Sequence, residues 1–203
     1  MKLRSYFLAG IAWAGVMSLA APAITVAAPT EPTDYGITSV ALAPSFLSAL
    51  ESLGVKPGAV GPGRLVHRHG NTVAAFPITA GAIDLGAVKG EIDHAGGLSL
   101  SAGTNRVELT AFSIEVYPNA MPVLTGLVAV NGSFVARLPL FDLSLAKAAV
   151  SRHEEWLSIQ NVALSLDAAA ATALSNVFHT SVPAGLPVGT ATVRASLDDE
   201  DEG

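Results

Sequence analysis

The sequence contains no cysteine, which excludes disulfides, thiolate metal sites and a lipid-modified N-terminal cysteine. It is also poor in positive charge: 11 Lys and Arg stand against 17 Asp and Glu, a formal net charge of −6 at pH 7. A chain of that sign lacks the basic footprint from which nucleic-acid binding starts. Charged residues are 14% of the chain and hydrophobic ones 50%, so there is enough apolar matter for a core and too much for a disordered polymer. After residue 28 no apolar run reaches the ~18 residues of a helical membrane span, so no transmembrane span is expected there.

Local signatures of catalysis are missing as well. There is no Gly-x-Ser-x-Gly elbow; Gly97 to Ser101 comes nearest and fails at its last position. His153-Glu154 opens like a zinc-protease helix, but Leu157 stands where the second histidine belongs. The glycine-bearing stretch Gly58 to Gly63 contains Pro62 and lacks the lysine and hydroxyl of a phosphate loop. Glu91 and Asp93 would share one face of a strand, the ordinary arrangement of surface acids in an acidic protein. These absences argue against an enzyme.

What is present begins with an export signal. Lys2 and Arg4 form a positive head, Tyr6 to Ala21 an apolar stretch, and Ala21 to Ala28 a small-residue region that includes the Pro22 break. Cleavage after Ala27 is expected, because a cut one residue later would place Pro29 first. The mature chain then carries nine basic and seventeen acidic residues and is expected to be secreted. Residues 28–36 form a polar leader expected to be flexible, and residues 198–203 an acidic tail whose charges repel and keep it solvated.

Between these ends the signal is mostly β. Asn131-Gly132 separates two apolar runs and predicts a hairpin with a type I′ turn. A second hairpin is expected at Gly70-Asn71. From Arg106 to Tyr117 the apolar parity flips: Val107, Leu109 and Ala111 share one face, then Phe112, Ile114 and Val116 the other. A β-bulge near Ala111-Phe112 is expected to resolve the conflict. Helices are expected over Pro44 to Leu53, stopped by Gly54, and over Asp167 to Phe178, with Asp167 as N-cap. A shift of 124 residues lays the first strand–helix unit on the second (Val40 and Leu42 on Leu164 and Leu166), a candidate internal repeat. The expected fold is mostly β, an antiparallel sandwich or partly closed barrel with two short helices.

Histidines offer the candidate ligand-binding residues. His67 and His69 fall on one side of a strand, a spacing that can chelate a divalent ion, though no third ligand is visible. His94 ends a strand before a glycine turn, as a turn former or as a loop residue aimed at a ligand. His179 follows a helix C-terminus, where it can interact with the helix dipole.

The order of segments resembles the HtaA-type domain of secreted haemin-binding proteins of high-GC Gram-positive bacteria. Ser45 to Leu50 is similar to the family's Ser-Phe-containing first helix. Gly90, Ile92, His94, Gly96 and Leu98 match its strand, histidine, glycine and return strand, and Arg106 to Val116 resembles the long strand that follows. Leu164 to Val193 resembles its closing strand, alanine-rich helix and last strand. The resemblance implies one β-rich domain over residues 37–197 and haem held by an axial tyrosine beside a histidine. His94 falls on the family histidine, whereas Ala49 stands at the tyrosine position. Tyr35 and Tyr117 are the tyrosines left after the signal, and without a phenolate the iron loses its anionic ligand.

Two functions are therefore expected from the sequence. One is a secreted, non-catalytic module that has lost haem ligation and binds a cell-envelope component. The other is a binder of haem, the one cofactor left open, or of another small apolar ligand. Its candidate ligand-binding residues are His94, His67, His69 and Tyr117.

Overall fold

The structure is a computed structural model that describes residues 31–68, 70–86 and 89–197. The export signal, the acidic tail and His69 lie outside the described residues. The chain begins with β1 (Glu31–Pro32), β2 (Gly36–Leu42), helix α1 (Pro44–Ser52), β3 (Lys56–Val60) and β4 (Arg64–Arg68). A long antiparallel run follows: β5 (Asn71–Asp84), β6 (Lys89–His94), β7 (Gly97–Ala102), β8 (Asn105–Val116), β9 (Val123–Val130) and β10 (Ser133–Ser144). The last elements are β11 (Ala149–His153), β12 (Trp156–Leu166), helix α2 (Ala168–Phe178) and β13 (Pro187–Ser196).

Eight of these strands close into an antiparallel barrel. The order is β5, β2, β13, β12, β10, β9, β8 and β6, and β6 returns to β5. Closure satisfies the backbone groups that an open sheet would leave at its edges. Of the two expected architectures the barrel is the one formed, and it is fully closed. The long strands make this possible by changing partner along their length. The first half of β5 carries β4 and its second half β6, while β8 carries β7 first and β6 afterwards.

The expected bulge is present and has a purpose in the barrel. Ala111 adopts φ +49° and the β8–β9 register slips between Thr110 and Ser113. The slip lets Val107 and Leu109 face inward at one end and Phe112 at the other, so members of both apolar sets are buried inside. β10 slips in the same way between Pro139 and Phe141. The Asn131-Gly132 hairpin also forms, with both residues at positive φ. The second hairpin turns one position earlier than expected: Arg68 faces Asn71, which already belongs to β5, and Gly70 takes φ +78°.

The described part of the leader is built into the fold instead of trailing from it. β1 pairs with β5, and Thr33, fully buried, donates its N–H to the Gly81 carbonyl at 3.0 Å.

Both helices stand where the sequence places them. Pro44 and Ala168 begin them 124 residues apart, and the strands that feed them, β2 and β12, flank β13 on either side. The Asp167 carboxylate caps α2 by accepting from the Ala169 N–H at 2.6 Å. Asp167→Ala should therefore cost about 1 kcal/mol. Asp167→Asn should cost almost nothing, since the amide oxygen still accepts and the charge repelling Asp142 is gone. Burial first, then Asp167, already pushes the Asp142 carboxyl above its ordinary value. Chemical denaturation of both variants checks this; equal losses would place the effect elsewhere than the cap.

Candidate functional site: an apolar barrel lumen

Alternation along each wall strand decides what faces the lumen. On β6, Ile92 and His94 point inward while Glu91 turns out and accepts from the Ser113 hydroxyl. On β2, Thr38, Val40 and Leu42 are the buried set. The cavity inside the barrel has a volume of about 330 Å³ and receives side chains from all eight barrel strands. Leu, Ile, Val and Phe dominate its wall. Its polar side chains are Thr38, His94, Asp84 and Lys89.

His94 is 5% exposed and bonded through both ring nitrogens. Nδ1 lies 3.2 Å from the Phe112 carbonyl oxygen, which can only accept, so Nδ1 carries the proton. Nε2 then accepts from the Thr38 hydroxyl at 2.7 Å. Burial pushes the imidazole below its ordinary pKa; the Phe112 carbonyl and the Asp93 carboxylate work in the other direction without cancelling it. The ring is thus held neutral, in one tautomer and one orientation. The glycines behind it belong to the same construction. The chain leaves the barrel after β6, turning at Gly96 (φ +80°) so that β7 can pair with the first half of β8. A Cβ on Gly96 would run into the backbone of Gly63.

At the rim, Lys89 Nζ lies 3.4 Å from a carboxylate oxygen of Asp84, whose side chain is buried. Leu85, Leu145 and Ala148 also line the lumen.

The other candidates are placed apart. His67 is exposed on β4, its Nδ1 2.8 Å from the Thr72 hydroxyl, and lines no cavity described here. Tyr117 is 51% exposed just past β8. Glu115, chiefly, and Glu91 raise its hydroxyl pKa, which disfavours the phenolate. Ala49 faces a minor pocket of about 30 Å³ under α1, whose lining does not include His94. Among the described residues no three His, Asp or Glu side chains gather as a metal site. His179 caps α2 in the left-handed conformation.

His94 stands out in the sequence, whereas its surroundings in the fold stand out less. Thr38 carried a signal: it is the polar member of the inward set it forms with Val40 and Leu42. Phe112 was marked by the parity flip. Asp84 and Lys89 carried none, because nothing local distinguishes a rim ion pair from surface charge.

A closed antiparallel barrel around an apolar chamber, with two short helices at one end, defines the class of this protein. The chain has an HtaA-type fold. It is similar to the C-terminal domain of HtaA from Corynebacterium glutamicum, with TM-score 0.59 and 14% identity over 83% of this chain and 99% of that one. A domain-swapped dimeric variant of that domain gives TM-score 0.52 and 16% identity over 76% and 91%. The haem-binding protein HtaB from Corynebacterium glutamicum gives TM-score 0.51 and 11% identity over 83% and 95%. The sequence itself matches no protein-family profile and no curated protein.

Proposed function

We propose that the protein is a non-catalytic carrier that acts outside the cytoplasmic membrane and holds a small apolar ligand in the barrel lumen without iron ligation. The observation that carries this reading is the lumen: about 330 Å³, almost wholly apolar, with its imidazole already engaged at both nitrogens. That volume and character are those of a small-molecule site.

Haem is the first ligand to test, because HtaB, which shares the fold, is a haem-binding protein. The donor set here does not fit the iron. An iron porphyrin needs an axial ligand. His94 would have to give up the Thr38 hydroxyl to become one, Ala49 has no donor, and Tyr117 lies outside the lumen lining. The Thr38–His94 pair has the spacing of a nucleophile and its base. The lining offers no side-chain donor for an oxyanion beyond Lys89, held at the rim beside Asp84, which supports a binding role over a catalytic one.

A haemin titration of the chain from residue 28, followed in the Soret region, is expected to show no saturable shift. The neutral fluorescent probe N-phenyl-1-naphthylamine is expected to bind saturably, and Ala191→Phe, which fills the lumen from β13, to remove a site. A one-to-one Soret shift that weakens in His94→Leu would sink the iron-free reading. A second reading, attachment to a cell-envelope component, is favoured by the outer face of the barrel. There the exposed rings of Tyr35 and Trp156 meet edge-on at 5.6 Å, with the Arg194 guanidinium 5.8 Å from the Trp156 ring.

A further inference from the structure

The lumen has a counterpart at the helix end of the barrel. A second cavity, of about 320 Å³, lies beneath α1 and α2. Phe46 of α1, Ala170 and Leu174 of α2, and Leu98, Val107 and Val128 from the strands form much of its wall. No charged residue lines it, and Asn176 is its single polar lining side chain. No residue lines both cavities. The bulge in β8 explains part of this: Val107 and Leu109 before the slip face the helix end, and Phe112 and Ile114 after it face the lumen, while along β10 the change falls between Phe141 and Leu143.

The partition between the cavities is one layer of side chains. Phe112 lines the lumen and Leu140 the second cavity, and both occupy the space above Gly126. A Cβ on Gly126 would meet Leu140 Cδ1 at 2.6 Å and Phe112 Cδ1 at 2.9 Å.

The second cavity also has its own opening. Ser133 to Pro139 pair with β9, apart from Val135 at a register slip, while β12 joins β10 from Phe141 onward, so the β10 edge beside α2 is not covered by a strand among the described pairings. Val135, which lines the cavity, is 58% exposed on that edge, and Asn176 lines it from the exposed side of α2. Asn105 ties α2 down by donating from Nδ2 to the Val177 carbonyl at 2.9 Å.

We infer that the helix-end cavity is a second, independent binding chamber that takes a neutral aliphatic ligand, such as an alkyl or isoprenoid chain, between α2 and the β10 edge. An unfilled apolar cavity of this size gives water almost nothing to bond to. Its wall is aliphatic apart from Phe46 and Phe141, so shape and apolar contact are the recognition it offers. A charged ligand would find no partner there.

N-phenyl-1-naphthylamine titrated into the chain from residue 28 should bind at two sites. Ala173→Phe, on the half-buried face of α2, should leave one site, Ala191→Phe the other, and the double variant neither. Val135→Glu changes an exposed rim residue without touching the core and should weaken one site at least tenfold. A single site that is lost in Ala191→Phe and unchanged in Ala173→Phe and Val135→Glu would overturn this inference while leaving the lumen reading standing. A single site lost in Ala173→Phe alone would uphold the inference and overturn the lumen reading. No binding at all would overturn both.

Discussion

Phe112→Ala should be the most damaging single truncation in the barrel, costing about 4 kcal/mol. The ring is 2% exposed and packs edge-on against Phe76, with centroids 4.9 Å apart and planes at 86°. It also fills the space left by the missing side chain of Gly126. Its neighbours cannot collapse into the vacancy, because each belongs to a strand pinned on both sides within a closed barrel. A loss of that size is a large part of the roughly 5–15 kcal/mol that holds a domain together. The lowered midpoint should appear in guanidinium denaturation. The functional effect should be as clear. Removing the ring opens the lumen toward the helix-end cavity, so a linear aliphatic ligand too long for either chamber should bind more tightly to Phe112→Ala than to the parent. A stability loss below about 1 kcal/mol would mean that the ring is not the packed partition described.

The bulge that places Phe112 was legible because strand geometry is strict. Side chains alternate, two apolar sets of opposite parity lie on one strand, and one inserted residue reconciles them. The Asn131-Gly132 turn and the Asp167 cap were legible for the same kind of reason, since each is specified within a few residues. The barrel order was not. β13 lies between β2 and β12, a pairing about 150 positions distant on one side, and no local signal chooses it over other antiparallel partners. The site divides along the same line. His94 and its glycine turn stand out in the sequence, whereas the lumen is made by eight strands at once. The candidates at His67 and Tyr117 were local patterns too, and the fold places both outside the lumen lining. A cavity is a property of assembly: the residues around it are the same Leu, Val and Ile that would fill a solid core.

His94→Leu should cost about 3 kcal/mol at pH 7.5, because it keeps most of the volume and orphans two buried polar groups, the Thr38 hydroxyl and the Phe112 carbonyl. Adding Thr38→Val should recover a good part of that loss, since one orphan is then replaced by a methyl group. The substitution should also change how stability depends on pH. Burial lowers the folded-state pKa of His94, so as pH falls the unfolded chain takes up this proton before the folded one does. The stabilising contribution of His94 is therefore complete above the ordinary histidine pKa and is lost as pH falls through the depressed folded value. Relative to the parent, His94→Leu should look least stable above neutrality, and the gap should narrow steadily on acidification. Taking the difference between the two proteins cancels the titration of the other histidines and of the carboxylates. Urea midpoints of parent, His94→Leu and the double variant between pH 7.5 and 5 would decide the matter. A gap that stays constant, or widens toward acid pH, would mean that His94 is not held neutral between Thr38 and Phe112. Burial holds the ring neutral, and the Thr38 bond in the same buried setting occupies the nitrogen that iron would need, so this titration and the haemin experiment examine one geometry from two sides.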